Sequence, residues 1–147
     1  MLVSAGSIGL PVLAQESEPG NPTKASQCNQ IIAIANEAVR DTKQTTNNGR
    51  SSDPEMLLKA AEYMDNYASK LEGVHTTDPI LQGYQSRFIG MYKQTSTATR
   101  DFITAFNAKN FPGAESALRA LRIATNGEKQ LVSEINIYCQ GQNMGPT

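Results

Sequence analysis

Residues 79–106 read PILQGYQSRFIGMYKQTSTATRDFITAF, and their apolar or small side chains recur at Leu81, Tyr84, Phe88, Met91, Thr95, Ala98, Phe102 and Ala105. Steps of three and four alternate along this stretch. That is the repeat of an α-helix burying one stripe against neighbours that cross it at a shallow angle. Asp78-Pro79 marks the start. Asp accepts a hydrogen bond from the first free amides, and Pro at the first helical position gives up an N–H that has no helical partner anyway. Lys109-Asn110-Phe111-Pro112-Gly113 breaks the pattern.

The same start signal occurs upstream as Asp53-Pro54, after Ser51-Ser52. It predicts a helix 2 that buries Leu57, Ala60, Ala61, Met64, Tyr67, Ala68 and Leu71 and stops near Gly73. Before it, helix 1 is predicted over Thr23–Thr45, with Cys28, Ile31, Ile32, Ala35, Ala38, Val39 and Thr42 on its stripe. It closes at Asn47-Asn48-Gly49, residues suited to a left-handed cap. After the break, helix 4 carries Ala114, Leu118, Leu121, Thr125, Glu128, Val132, Ile135 and Cys139 at three-four spacing. Helices 3 and 4 approach ~30 residues, or ~45 Å, and so overhang helices 1 and 2. No useful strand-like alternation occurs. Four amphipathic helices on short loops predict an all-α, up-down-up-down antiparallel four-helix bundle over residues 23–141. Residues 15–22 are expected as a flexible lead-in and residues 142–147 as a flexible tail.

At 147 residues, 39% of them hydrophobic, the chain suits one domain with one core. Thirteen basic residues face fourteen acidic ones without blocks, giving a net charge of −1. Gripping phosphate backbones takes a basic face, so nucleic acid and charge-driven binding to anionic lipid are not expected. Residues 1–14, MLVSAGSIGLPVLA, are uncharged and apolar or small, and end in Val12-Leu13-Ala14 before Gln15. This reads as the remnant of a signal peptide with its cleavage site, although no basic residue precedes it. No other stretch is apolar for long enough to predict a membrane span. The chain therefore reads as exported: periplasmic, lumenal or extracellular.

In the antiparallel arrangement the start of helix 1 and the end of helix 4 share one end of the bundle. Cys28 and Cys139, the two cysteines, fall there on apolar stripes, which predicts a disulfide joining helix 1 to helix 4. Two buried free thiols are the alternative. A redox pair is not expected, since no Cys-x-x-Cys motif is present.

Other constellations are sparse. His75 is the lone histidine and reads as a loop residue, so neither zinc nor di-iron chemistry is expected. Haem attachment motifs are absent as well, and no cofactor or metal is expected. Met56, Met64 and Met91 read as core fillers rather than soft-metal ligands. Tyr63, Tyr67, Tyr84, Phe88, Tyr92 and Tyr138 are expected toward the disulfide end. They read as an aromatic core layer with hydroxyls at the rim, or alternatively as an amphipathic pocket or partner-binding patch. Glu128 falls on the inward stripe level with Thr95, Ala98 and Thr99. A buried carboxylate must be paired, protonated or wet, so the residue either rotates to the rim or makes a polar waist within reach of Arg100 or Arg122.

No catalytic constellation emerges, and the chain is expected not to be an enzyme. The secreted chorismate mutases, also all-helical and disulfide-tied, offer an analogy of architecture and not of motif. Arg40, Arg87, Arg100, Arg119, Arg122, Lys59 and Glu128 supply their residue types, but mostly on polar faces. The leading expectation is a protein-interaction or structural module with a protein partner. A small-ligand carrier or sensor, which needs an enclosed cavity of ~300 Å³ or more, is the alternative.

Overall fold

A computed structural model describes residues 23–48, 50–51 and 53–144, with side chains through residue 140. The signal segment expected at 1–14, the lead-in through residue 22 and residues 145–147 lie outside the described residues, as does Gly49. Five helices follow in order: α1 Lys24–Thr45, α2 Pro54–Glu72, α3 Pro79–Asn107, α4 Phe111–Asn126 and α5 Glu128–Met144.

Four of the five begin where a side chain satisfies a free amide. Thr23 accepts from the Ser26 amide, Asp53 from Glu55, Asp78 from Leu81 and Asn110 from Gly113. Such caps each contribute about 1 kcal/mol. The first helix closes through Asn47 and Asn48, both left-handed at φ 53° and 59°, and the Asn48 amide returns to the Lys43 carbonyl at 2.7 Å. Lys109, at φ 60°, ends α3 in the same way.

Cys28, Ile31, Ala35 and Ala38 of α1 pack with Met64, Tyr67, Ala68 and Leu71 of α2; Leu81, Phe88, Met91 and Tyr92 of α3 and Leu131, Ile135 and Cys139 of α5 complete the core. Four helices therefore pack around one core, and each large side chain fully buried there contributes about 1.5–3 kcal/mol. Cys28 is bonded to Cys139 with Cα atoms 5.8 Å apart, so the staple joins α1 to α5. Nearby, the buried Gln27 side chain donates to the Thr77 hydroxyl and accepts from the Thr77 amide, both at 2.9 Å, tying the α2–α3 loop to α1.

The last predicted helix is not continuous. Gly127 separates α4 from α5, although the Leu131 amide still reaches the Gly127 carbonyl at 2.9 Å. Glycine lowers helix stability by about 1 kcal/mol relative to alanine, so the interruption falls where it costs least. Past it, α5 continues to Met144, into the stretch expected as a tail. The buried stripe also differs from the heptad reading. Ala114, Ala117 and Ala124 are the buried residues of α4, Leu118 and Leu121 are half-buried, and Thr125 is exposed. Small residues let α4 approach α3 closely, which turns the leucines toward the edges of the seam. Apart from its continuation into α5, α4 packs only on α3.

Candidate functional site

Four of the six aromatic residues singled out in the sequence form two ring pairs. Tyr84 and Tyr138 stack 6.1 Å apart near the disulfide, and Phe88 lies 6.0 Å from Tyr92. The Tyr138 hydroxyl donates to Asp78 at 2.8 Å, while Tyr67 donates to Asp41 from beneath Lys70. Tyr63 is half-buried against the core. Burial, then the bonded carboxylates, push the Tyr67 and Tyr138 hydroxyls up to about 12, so both stay protonated donors. Burial would also raise Asp78, but bonds from Tyr138, the Leu81 amide and Lys24 outweigh it and hold its carboxyl below the usual range.

Midway along the bundle all five helices line one small pocket of about 100 Å³. Thr42 and Lys43 come from α1, Met64 from α2, Tyr92 from α3, Thr125 from α4 and Glu128 from α5. The hydroxyls of Tyr92 and Thr42 are both buried there without a hydrogen-bond partner. Tyr92 itself is only 1% exposed. Native buried hydroxyls are rarely left so, because each loses its water without compensation. Glu128 is half-buried. Burial raises its pKa, and Lys43 opposes that rise from the same pocket. The cation near Glu128 is therefore Lys43 and not Arg100, which is bound to Asp65 at 2.7 Å. Burial, followed by Glu128 and Tyr67, raises the Tyr92 hydroxyl and keeps it neutral.

These groups can hydrogen-bond and hold charge, but they do not assemble a nucleophile with a base. His75 sits exposed between α2 and α3, and no three metal-binding His, Cys, Asp or Glu side chains cluster among the described residues. Arg87 is paired with Glu134 at 3.0 Å and Arg40 with Asp41 at 3.8 Å, so these cations are dispersed along the helices.

A second feature was not singled out in the sequence. Phe106 and Phe111, with rings 6.3 Å apart, are 48% and 58% exposed. With Phe102 and Leu118 they line an open groove of about 440 Å³ whose one charged lining residue is Glu115. On the other flank of the α3–α4 seam, Ile123 is 74% exposed beside a groove of about 450 Å³. The signal in the sequence is the width of the apolar arc of α4: Phe111, Ala114, Ala117, Leu118, Leu121, Ile123 and Ala124 exceed what one neighbouring helix can cover. No family model matches the chain, and neither the curated proteins nor the solved structures contain a significant match.

Proposed function

We propose that this protein is an exported, non-enzymatic interaction module, an up-down-up-down bundle stapled by its disulfide, that docks an amphipathic helix of a protein partner. The observation that carries this reading is α4, which packs on α3 alone and leaves Phe106 and Phe111 bare. An apolar surface of this kind on a soluble domain marks an interaction site more often than chance exposure does. The partner helix presents an apolar side chain to the phenylalanine groove and a Lys or Arg to Glu115 at its rim. The antiparallel order is supported by cross-helix pairs whose numbers rise on one helix as they fall on the next. Glu37–Lys70 and Asp41–Tyr67 link α1 with α2, and Glu72–Lys93 and Asp65–Arg100 link α2 with α3. A buried disulfide fits an oxidising compartment, and no described helix is long and apolar enough to cross a membrane.

A metabolite carrier is less well supported, because the five-helix pocket has only about 100 Å³. The test is photo-crosslinking in the native compartment from a probe at residue 118, with and without F106E/F111E. Capture of one helical partner by the wild type, lost in the double variant at unchanged Tm, supports the reading. Equal capture by both proteins, or none by either, refutes it.

A further inference from the structure

We propose that the pocket where the five helices meet binds a short primary alkylammonium ion, its ammonium group held by Glu128, Tyr92 and Thr42. The argument is independent of partner docking. An alkylammonium head offers three N–H donors, and three oxygen-bearing side chains around this pocket have unmet capacity. The Tyr92 and Thr42 hydroxyls lack partners, and Glu128 makes no ion pair within 4.0 Å among the described residues. The remaining wall includes Val39, Met64 and Met91, a surface for carbon rather than for charge. A volume of about 100 Å³ equals about three waters, which limits the ligand to three or four non-hydrogen atoms.

The charge balance selects a monovalent cation. A single carboxylate among hydroxyls is too poor in negative ligands for calcium or magnesium, which gather several oxygens with more charge. Anions are disfavoured by the Glu128 carboxylate in the same pocket. Lys43, the one cation lining the pocket, is exposed and makes no ion pair with Glu128 within 4.0 Å, so it acts on the carboxylate from a distance and leaves the carboxylate's hydrogen-bonding capacity unmet. Water would satisfy the two hydroxyls but bring no charge into contact with the half-buried carboxylate, which Lys43 reaches only from beyond ion-pair distance.

The probe is ethylammonium chloride, titrated into the folded protein while the methyl resonances of Met64 and Met91 are followed by NMR. Ethanol, with the same number of heavy atoms and no charge, and potassium chloride serve as the comparison ligands. The expected result is a saturable shift of both methyls with ethylammonium and none with potassium, with ethanol weaker by about tenfold or more, as loss of a desolvated charge contact implies. E128Q removes the counter-charge and is expected to lower affinity by a similar factor. Y92F, which keeps the ring and deletes the unpartnered hydroxyl, weakens binding less and still reports if E128Q does not fold. Equal affinity for ethanol, or competition by potassium, overturns the proposal, as does undiminished binding in both variants. Absence of any saturable shift overturns it too, leaving a pocket that holds water only.

Discussion

Replacing both cysteines, C28A/C139A, tests how much of this fold depends on one covalent link. The bond closes a sequence separation of 111 residues. For a loop of ~110 residues the chain-entropy relation gives an unfolded-state entropy loss of about 16 cal/mol/K, or about 4.8 kcal/mol at 25 °C. Domains of this size are stable by only ~5–15 kcal/mol, so the loss is a large share of the total. With an unfolding entropy of about 2.1 cal/mol/K per residue, Tm falls by about 15–20 °C. The assay is urea unfolding followed by far-UV circular dichroism, with oxidised wild type and double variant at matched pH and temperature. C28A alone is expected to lose nearly as much, because either substitution abolishes the bond. A loss below about 2 kcal/mol would refute the reasoning, and would mean that α1 and α5 are held by Ile31, Leu131 and Ile135 packing rather than by the link.

Gly127 lies in right-handed backbone, and an added Cβ meets no atom within 4 Å. G127A is therefore expected to stabilise by about 0.4–1 kcal/mol in the same unfolding assay; destabilisation would show that the α4–α5 junction needs glycine. Phe88 is fully enclosed in the core, so F88A is expected to cost about 3–5 kcal/mol by the same measurement. Burial holds the proton on Glu128 to a higher pH in the fold than in the unfolded chain. Stability therefore falls as pH rises from the ordinary value of 4.5 through the raised folded value, with Lys43 and Tyr92 the neighbouring titratable groups. Thermal melts should accordingly show E128Q more stable than wild type at neutral pH, with the gain vanishing as pH falls below that window. Asp78 has the opposite sign: its depressed folded value adds stability above 3.8 that is lost as pH falls through the folded value. D78N keeps a capping oxygen but loses the charge that Tyr138 and Lys24 meet, so it should lose about 1 kcal/mol or more at neutral pH, and the deficit should shrink in acid.

Local chemistry explains why the helix starts were legible. Asp53-Pro54 and Asp78-Pro79 carry cap and first-turn signals within two residues, and both helices begin at the proline. The stripe of α3 was readable in part: Leu81, Phe88, Met91 and Ala98 are buried at the expected spacing, whereas Tyr84, Thr95 and Ala105 are half-buried and Tyr92, Ser96 and Thr99 are buried beside it. The phenylalanine groove was not. Phe102 falls on the predicted inner stripe, and only the absence of a second helix beside α4 leaves it half-buried at an open edge. Glu128 was ambiguous for a related reason. Its heptad position fixes its azimuth on the helix but not the distance to Lys43 or the closure of the pocket around Tyr92.

The sequence by itself determined an all-helical fold, three of the five described helix starts and the pairing of Cys28 with Cys139, whereas Phe111-Pro112-Gly113, expected as part of a break, is already the first turn of α4. Those properties rest on backbone capping and on a hydrophobic repeat, both of which act over a few residues. Tertiary structure decided where the last helix is interrupted and that α4 leans on α3 alone. It also decided that hydroxyls from α1 and α3 meet a carboxylate from α5 in one pocket. These depend on how closely helices approach, which is set by small residues such as Ala114, Ala117 and Ala124 acting together with partners far away in the chain. A periodic pattern specifies which face of a helix is buried; only the assembled packing specifies what that face is buried against, and how much of it is left uncovered.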